Sequence, residues 1–387
     1  MWPLSTAGLF LFASATRAFV VPNPTGKYNV SVTLGPLVDY SREEPDTDGS
    51  KPRRLMLSIF EPAPCARTVP VPYMPDQTAK FQGPFFSTIV QTPLDVTPLF
   101  LNARFPVCPR RVSQCSGAAR HPSADDFPIL LFSPGYSIPR LYYNFMASAI
   151  ASEGFTVITI DHPGDTNFIT YPDGSTSINN DTVQGAENIL RRLHPRVADV
   201  SFILDQLSNA TAMGELLPHR GPRPLPTDRV AMIGHSLGGI AAVLAGQQDS
   251  RLKSVVNWDG TQLELPSADI SQPMLLMTAE VLPDRQILFD SFANLWPLLD
   301  GPKLWVDIDN ATHFSFSDAA TIFQAAGKDI TPFADLFGTI APTQMAKILV
   351  DYTVSWMGNV FADESQESWP EVEDLGFPEV STVMADL

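Results

Sequence analysis

The stretch RVAMIGHSLGGIAAVLAG, Arg229 to Gly246, changes its local pattern at one serine. Val230, Ala231, Met232 and Ile233 form a short apolar run of the kind a buried strand requires, and the small and aliphatic residues after Ser236 suit a helix. A sharp turn between strand and helix holds its central residue in a strained backbone conformation and brings the neighbours too close for side chains. Gly234 and Gly238 on either side of Ser236 meet that demand. The helix that begins just after Ser236 aims free N–H groups and partial positive charge at the surroundings of the serine oxygen, which favours an oxyanion there. The spacing predicts a hydroxyl presented for attack.

Outward from this turn, the chain from about Phe127 alternates short apolar runs with helical ones, the pattern of a mostly parallel sheet flanked by helices. FPILLFS (Phe127 to Ser133) and FTVITI (Phe155 to Ile160) are expected strands, with a helix between them from about Leu141 to Ser152. VADVSFILDQL places Val197, Val200, Ile203, Leu204 and Leu207 on one helical face. Further strands are expected at Val230, at Ser254 to Asn257, at PMLLMT from Pro273 and at KLWVDI from Lys303, followed by a last helix from Thr343 to Trp356. Before Phe127, YNVSVTLGPLV and RLMLSIF read as an N-terminal hairpin around a charged turn, and residues 62–126 as an irregular, proline-rich insertion able to wall a pocket. Residues 19–361 are read as one domain. The acidic tail, 362–387, is expected to be solvated and weakly ordered.

A serine hydroxyl becomes a useful nucleophile only when a base takes its proton, and the base needs an acid that sets its tautomer and stabilises its charge. In a sheet of this type base and acid follow the serine in the chain. His313, in DIDNATHFSFSD, is the one histidine after Ser236, and it lies just beyond an expected strand. His121, His162, His194 and His219 read as surface or packing residues, and the backbone at His235 should turn its ring away from the serine oxygen. Two acids are candidates, Asp259 at the end of the strand after the turn helix and Glu280 at the end of the next. Asp307 and Asp309 stand too near His313 in sequence. The Leu237 N–H is the expected first oxyanion donor, and the Tyr136 N–H, from the turn Ser133-Pro134-Gly135-Tyr136, the expected second.

The 387 residues are 44% hydrophobic and carry a formal charge of -17, enough for a large core and hostile to nucleic acid and anionic surfaces. The opening MWPLSTAGLFLFASATRAFVVP has an apolar stretch from Leu4 to Phe12 and small residues at Ala13, Ala15 and Ala18. It reads as a secretory signal, residues 1–18, although no lysine or arginine precedes the apolar stretch. A retained anchor is the alternative, but the stretch is short for a bilayer. On a secreted chain Asn29, Asn180, Asn209 and Asn310 are candidate glycan sites. Asn310 lies three residues from His313, so its sequon is expected to be empty or turned outward. Two of Cys65, Cys108 and Cys115 are expected to pair and leave one over; Cys65 with Cys108 or Cys115 would staple the N-terminal region.

The motifs ILLFSPGYS, IASEGFTVITIDHPGD, DRVAMIGHSLGG, VVNWDG, QPMLLMTAE and ATHFSFSD together resemble the platelet-activating-factor acetylhydrolase family, of the secreted plasma type and its fungal relatives. The resemblance runs from about Tyr28 to Trp356 and is patchy before Phe127. It implies an α/β-hydrolase fold, and it favours Asp259 over Glu280 because the family's acid follows the strand after the nucleophile helix. It implies hydrolysis of short-acyl phospholipids through an acyl-enzyme, with Ser236, Asp259 and His313 as triad. The chain departs from the family in having Pro134 where a histidine commonly precedes the glycine, at Phe314 after the base, and in the insertion. These departures bear on substrate more than on chemistry. An esterase or lactonase acting on another small ester, such as a fungal secondary metabolite, is the neighbouring reading, and a non-catalytic hydrolase-fold binding module the remote one. No metal-ligand spacing is present, so no cofactor is expected; exposed apolar residues are expected to allow transient contact with lipid aggregates.

Overall fold

In the computed structural model, which describes residues 17–44, 51–89, 95–109, 127–179, 186–282, 285–362 and 369–387, nine strands form one sheet. They are β1 (Asn29–Glu43), β2 (Pro52–Ala63), β3 (Ile129–Ser133), β4 (Thr156–Asp161), β5 (Val230–His235), β6 (Leu252–Trp258), β7 (Met274–Val281), β8 (Lys303–Thr312) and β9 (Val380–Asp386). Their order across the sheet is β1-β2-β4-β3-β5-β6-β7-β8-β9. Strands β3 to β8 are parallel to one another, and the pairs β1–β2, β2–β4 and β8–β9 are antiparallel. Every residue of β3, β4 and β5 is buried, which is why these strands read as continuous apolar runs.

Alternate residues feed two cores, one on each face. Leu130, Phe132, Ala231 and Ile233 pack with Trp258, Phe316 and Trp356 on one face; Ile129, Leu131, Val230 and Met232 pack with Leu204 and Ile240 on the other. After α1 (Asp76–Ile89), which belongs to the insertion, the helices that flank the sheet are α2 (Asn144–Ser152), α3 (Ala186–Leu207), α4 (Leu237–Gln248), α5 (Arg285–Leu295) and α6 (Pro342–Val360). The stripe Val197, Val200, Ile203, Leu204 and Leu207 of α3 is buried as its spacing predicts. The N-terminal hairpin and the strands and helices expected from Phe127 onward all form.

Two expectations are corrected. The described part of the insertion is more ordered than its prolines suggested. It holds α1, a short helix Thr97–Asn102 and a ribbon of Val69–Pro72 against Ala103–Val107. Buried rings of Phe86 and Phe100 anchor it, with Phe86 5.3 Å from Phe323. The tail is a sheet edge instead of a solvated end, because β9 satisfies backbone groups that β8 would otherwise leave open. Its side chains are mostly exposed, and the acidic residues that precede it in the tail masked a strand held by its main chain. Cys65 is bonded to Cys108, fastening the end of β2 to the residue after the ribbon; Cys115 lies outside the described residues. Residues 1–16 of the expected signal also lie outside them. Among the described residues no helix is long and apolar enough to cross a membrane.

Asp318 ties the insertion to the start of α2. Its fully buried carboxylate accepts from the Tyr73 hydroxyl and from the first-turn N–H groups of α2 at Phe145 (2.7 Å) and Met146 (3.2 Å). Burial nevertheless raises this carboxyl from 3.8 to about 7. A carboxyl raised in the folded state binds its proton more tightly there than when unfolded. Its stabilising contribution is therefore full below about pH 4 and is lost as pH rises to about 7. Relative to Asp318→Asn, the wild type is expected to lose up to about 1.4 kcal/mol per pH unit between pH 5 and 7, read by urea denaturation at each pH. A pH-independent difference between the two proteins would contradict this.

Candidate active site

Ser236 sits between β5 and α4 at φ 57° and ψ -124°, a left-handed conformation that L-residues rarely adopt. Its N–H donates to Trp258 O (2.9 Å), and its own carbonyl accepts from Gly239 (2.8 Å) and Ile240 (3.2 Å), which starts the helix. A Cβ on Gly234 would lie 1.9 Å from Gly238 O, and one on Gly238 2.0 Å from Ser133 O. Both clashes are with main chain, which no side-chain rotation relieves. Gly234→Ala is expected to destabilise the fold by about 3 kcal/mol or more, measured by chemical denaturation. A loss below about 1 kcal/mol would mean that the turn can open without harm.

Asp259 ends β6 with a second positive φ, 53°. Its N–H donates to Met277 O (2.8 Å) and its Oδ1 accepts from Ala279 N–H (2.9 Å), so the neighbouring strand holds both its backbone and its carboxylate. The other oxygen, Oδ2, is 2.6 Å from His313 Nδ1. The carboxylate is fully buried, whereas the imidazole side chain is 37% exposed, so the ring can meet a substrate while the acid is shielded from water. His313 opens a one-turn helix, His313–Phe316, whose start is held by a reciprocal pair of bonds between Thr312 and Ser315. With Nδ1 protonated and bound to the carboxylate, Nε2 is the basic nitrogen.

Glu280 does not reach this histidine; its Oε2 accepts from Asn310 N–H (2.8 Å) and supports the bend where Asn310 has φ 62°. Asp307 pairs with Arg285 at 2.5 Å. His235 has more to do than the sequence showed. Its Nε2 is 3.0 Å from His313 O, and a carbonyl can only accept, so Nε2 carries the proton and Nδ1 accepts from Tyr143 O–H at 2.8 Å. Burial and the neighbouring His313 hold the His235 imidazole well below the usual histidine range, in keeping with a neutral ring that bridges two loops.

Leu237 is the first residue of α4, where an N–H has no acceptor within the helix. Tyr136 lies in the turn after β3, half-buried and next in sequence to Gly135, whose N–H donates to Tyr143 Oη (3.2 Å). A Cβ built on Gly135 would lie 3.5 Å from Ser236 Cβ, so this turn borders the serine. His162 is fully buried beneath it, where burial lowers its basicity and its ring joins Ser133 Oγ (3.0 Å) to Asp199 (2.8 Å). His194 and His219 are exposed, beside Glu264 and Glu61; His121 lies outside the described residues. Asn29, Asn209 and Asn310 are exposed: the first donates to Cys65 O, the second caps the helix Ala210–Leu216, and the third accepts from Thr339 Oγ1. Asn180 lies outside the described residues. Among those residues no group of three or more His, Cys, Asp or Glu side chains is arranged to hold a metal ion.

Residues 98–199 match the family described as platelet-activating factor acetylhydrolase, isoform II. Over 333 residues the chain is 31% identical to a probable 1-alkyl-2-acetylglycerophosphocholine esterase of Arthroderma benhamiae, spanning 81% of this chain and 80% of that protein. The chain belongs to the platelet-activating factor acetylhydrolase family. It is also similar to the family's Gallus gallus platelet-activating factor acetylhydrolase, at 23% identity over 62% of each chain. Outside that family it resembles Cutinase 2 of Thermobifida cellulosilytica, at 24% identity over 47% of this chain and 59% of that one. A solved ferulic acid esterase from Streptomyces cinnamoneus superposes with a TM-score of 0.73 at 23% identity, over 95% of this chain and 100% of its own. The fold of this acetylhydrolase-family protein is the α/β-hydrolase fold, and its activity is that of a serine hydrolase of carboxylic esters.

Proposed function

We propose that Ser236 is the nucleophile, His313 the base and Asp259 the acid, and that the substrates are short-acyl phospholipids of the platelet-activating-factor type. The observation that carries the triad is the 2.6 Å contact of His313 Nδ1 with a buried Asp259 carboxylate. It stands at the same carboxyl edge of the sheet as the strained Ser236 turn, because β5 and β6 are adjacent parallel strands. The name of the Arthroderma relative supports the substrate class. In the first step His313 Nε2 takes the Ser236 hydroxyl proton as Oγ attacks the acyl carbonyl. The N–H groups of Leu237 and Tyr136 stabilise the oxyanion. Collapse of the tetrahedral intermediate breaks the ester C–O bond, and the protonated His313 gives its proton to the leaving alcohol. Water activated by the same histidine then attacks the acyl-enzyme and releases the acid.

Export is part of this reading: a chain with a cleaved leader, sequons in use among Asn29, Asn180, Asn209 and Asn310, and a Cys65–Cys108 bond suited to an oxidising compartment. Residues 19–361 form its catalytic domain, to which the C-terminal strand adds an edge.

Initial rates on acetyl, butyryl and long-acyl esters, with a short-acyl phospholipid among them, test the substrate class. The phospholipid is expected to have the highest kcat/KM, falling steeply with acyl length. A preference for a simple or aromatic ester over the phospholipid would move the assignment to another small-molecule ester.

A further inference from the structure

Below the turn that borders Ser236 lies a closed group of buried charges that the proposed mechanism does not use. At its centre is Arg196, on α3 and 1% exposed. Its Nε donates to Asp165 Oδ2 (2.5 Å), its Nη1 to Ser133 Oγ (3.1 Å) and to the carbonyl of Pro134, and its Nη2 to the carbonyl of Gly135 (3.1 Å). Asp165, 2% exposed, uses its other oxygen to accept from Ser137 N–H (2.9 Å). One ion pair therefore grips the turn at successive carbonyls and at the N–H two residues on. Ser133 Oγ also meets His162, which leads to Asp199 and its two bonds from Arg53. Ser133, His162 and Asp199 thus repeat the order serine, histidine and carboxylate, but all are buried and the serine oxygen already accepts from Arg196.

Peptide geometry converts this grip into direction. The described residues contain no cis peptide bond, and in a trans peptide the C=O and N–H point opposite ways. Holding Pro134 O on Arg196 turns Gly135 N–H to the far side, where Tyr143 Oη accepts it at 3.2 Å. Holding Gly135 O on the same guanidinium turns Tyr136 N–H away from Arg196 in the same manner. A flipped Gly135–Tyr136 peptide would instead present a carbonyl oxygen to the forming oxyanion and leave the arginine with a missing acceptor. We propose that Arg196, held by Asp165, is the positioning residue that sets the Gly135–Tyr136 peptide and so aims the Tyr136 oxyanion donor. This rests on the oxyanion assignment made above.

The test is Arg196→Lys in the full chain, which keeps the charge and removes the planar fork. Rates are expressed per active site titrated with a fluorophosphonate, and affinity is measured for a trifluoromethyl ketone, which forms an anionic tetrahedral adduct. The expected result is a kcat lower by about 100-fold with KM within about threefold, and ketone affinity lower by the same factor as kcat/KM. A merely structural role would lower the number of titrated sites and leave the affinity of the remainder intact; that outcome overturns the proposal. If Arg196→Lys is not recovered folded, Asp165→Asn is judged by the same two ratios, with an expected loss of about 10-fold in each, about half of the logarithmic effect of one donor. A wild type that neither labels nor turns over esters would instead overturn the underlying catalytic reading, and this proposal with it.

Discussion

Ser236→Ala is expected to lower kcat toward any accepted ester by about a million-fold and to abolish labelling by a fluorophosphonate. The change removes one oxygen at a half-buried position whose side chain makes no capping bond to α4. Alanine and serine share the cost of the positive φ, so the turn, the helix and the melting temperature should be preserved. What persists is the scaffold around the missing oxygen: the proposed donors at Leu237 and Tyr136, and His313 on its carboxylate. A residual rate of about 1000-fold over water is the expected contribution of such a site. Measured turnover within tenfold of wild type would remove Ser236 as nucleophile.

The second large effect is expected from Asp259→Asn, a loss of about 10,000-fold in kcat at neutral pH. An asparagine can keep the bond from Ala279 N–H through its carbonyl oxygen, so the chain should fold as before. Its amide then donates to His313 Nδ1, which puts the ring proton on Nε2 and leaves no base facing the serine. Glu280 cannot take over, because its carboxylate is engaged with Asn310 N–H on a different part of the loop. Glu280→Gln is therefore the matched control and should stay within about tenfold, since an amide oxygen can still accept from that N–H. Equal losses in the two variants would mean that loop support, and not a proton on His313, is what Asp259 provides.

Legibility in the sequence followed how local each feature is. The strand, glycine, serine and helix around Ser236 are contiguous, and the clash distances at Gly234 and Gly238 explain why the glycines stand where they do. The core helix at Val197 was readable because its partner is a whole sheet face, which imposes a period of 3.6 on the residues it buries. The choice between Asp259 and Glu280 was open on the residues alone, since each ends a strand near the loop of His313. It turns on the positive φ at Asp259, whose N–H and carboxylate are both held by β7. The strand Val380–Asp386 was hidden because its stability comes from backbone pairing with β8, to which a short, exposed run behind an acidic stretch offers no clue. The roles of His235 and Arg196 were equally hidden, as the partners of His235 lie 78 and 92 residues away in the chain and those of Arg196 31 to 63.

By itself, then, the order of residues determined where strands change to helices, which serine stands at the turn between them, and which histidine follows it, because each is read from the residues around it. The tertiary structure alone decided which carboxylate meets that histidine and which way the peptides beside the serine point. Those outcomes depend on hydrogen bonds between β6, β7, the loop of His313 and a buried arginine on α3, and directed bonds between distant segments exist only once the sheet has brought them within about 3 Å.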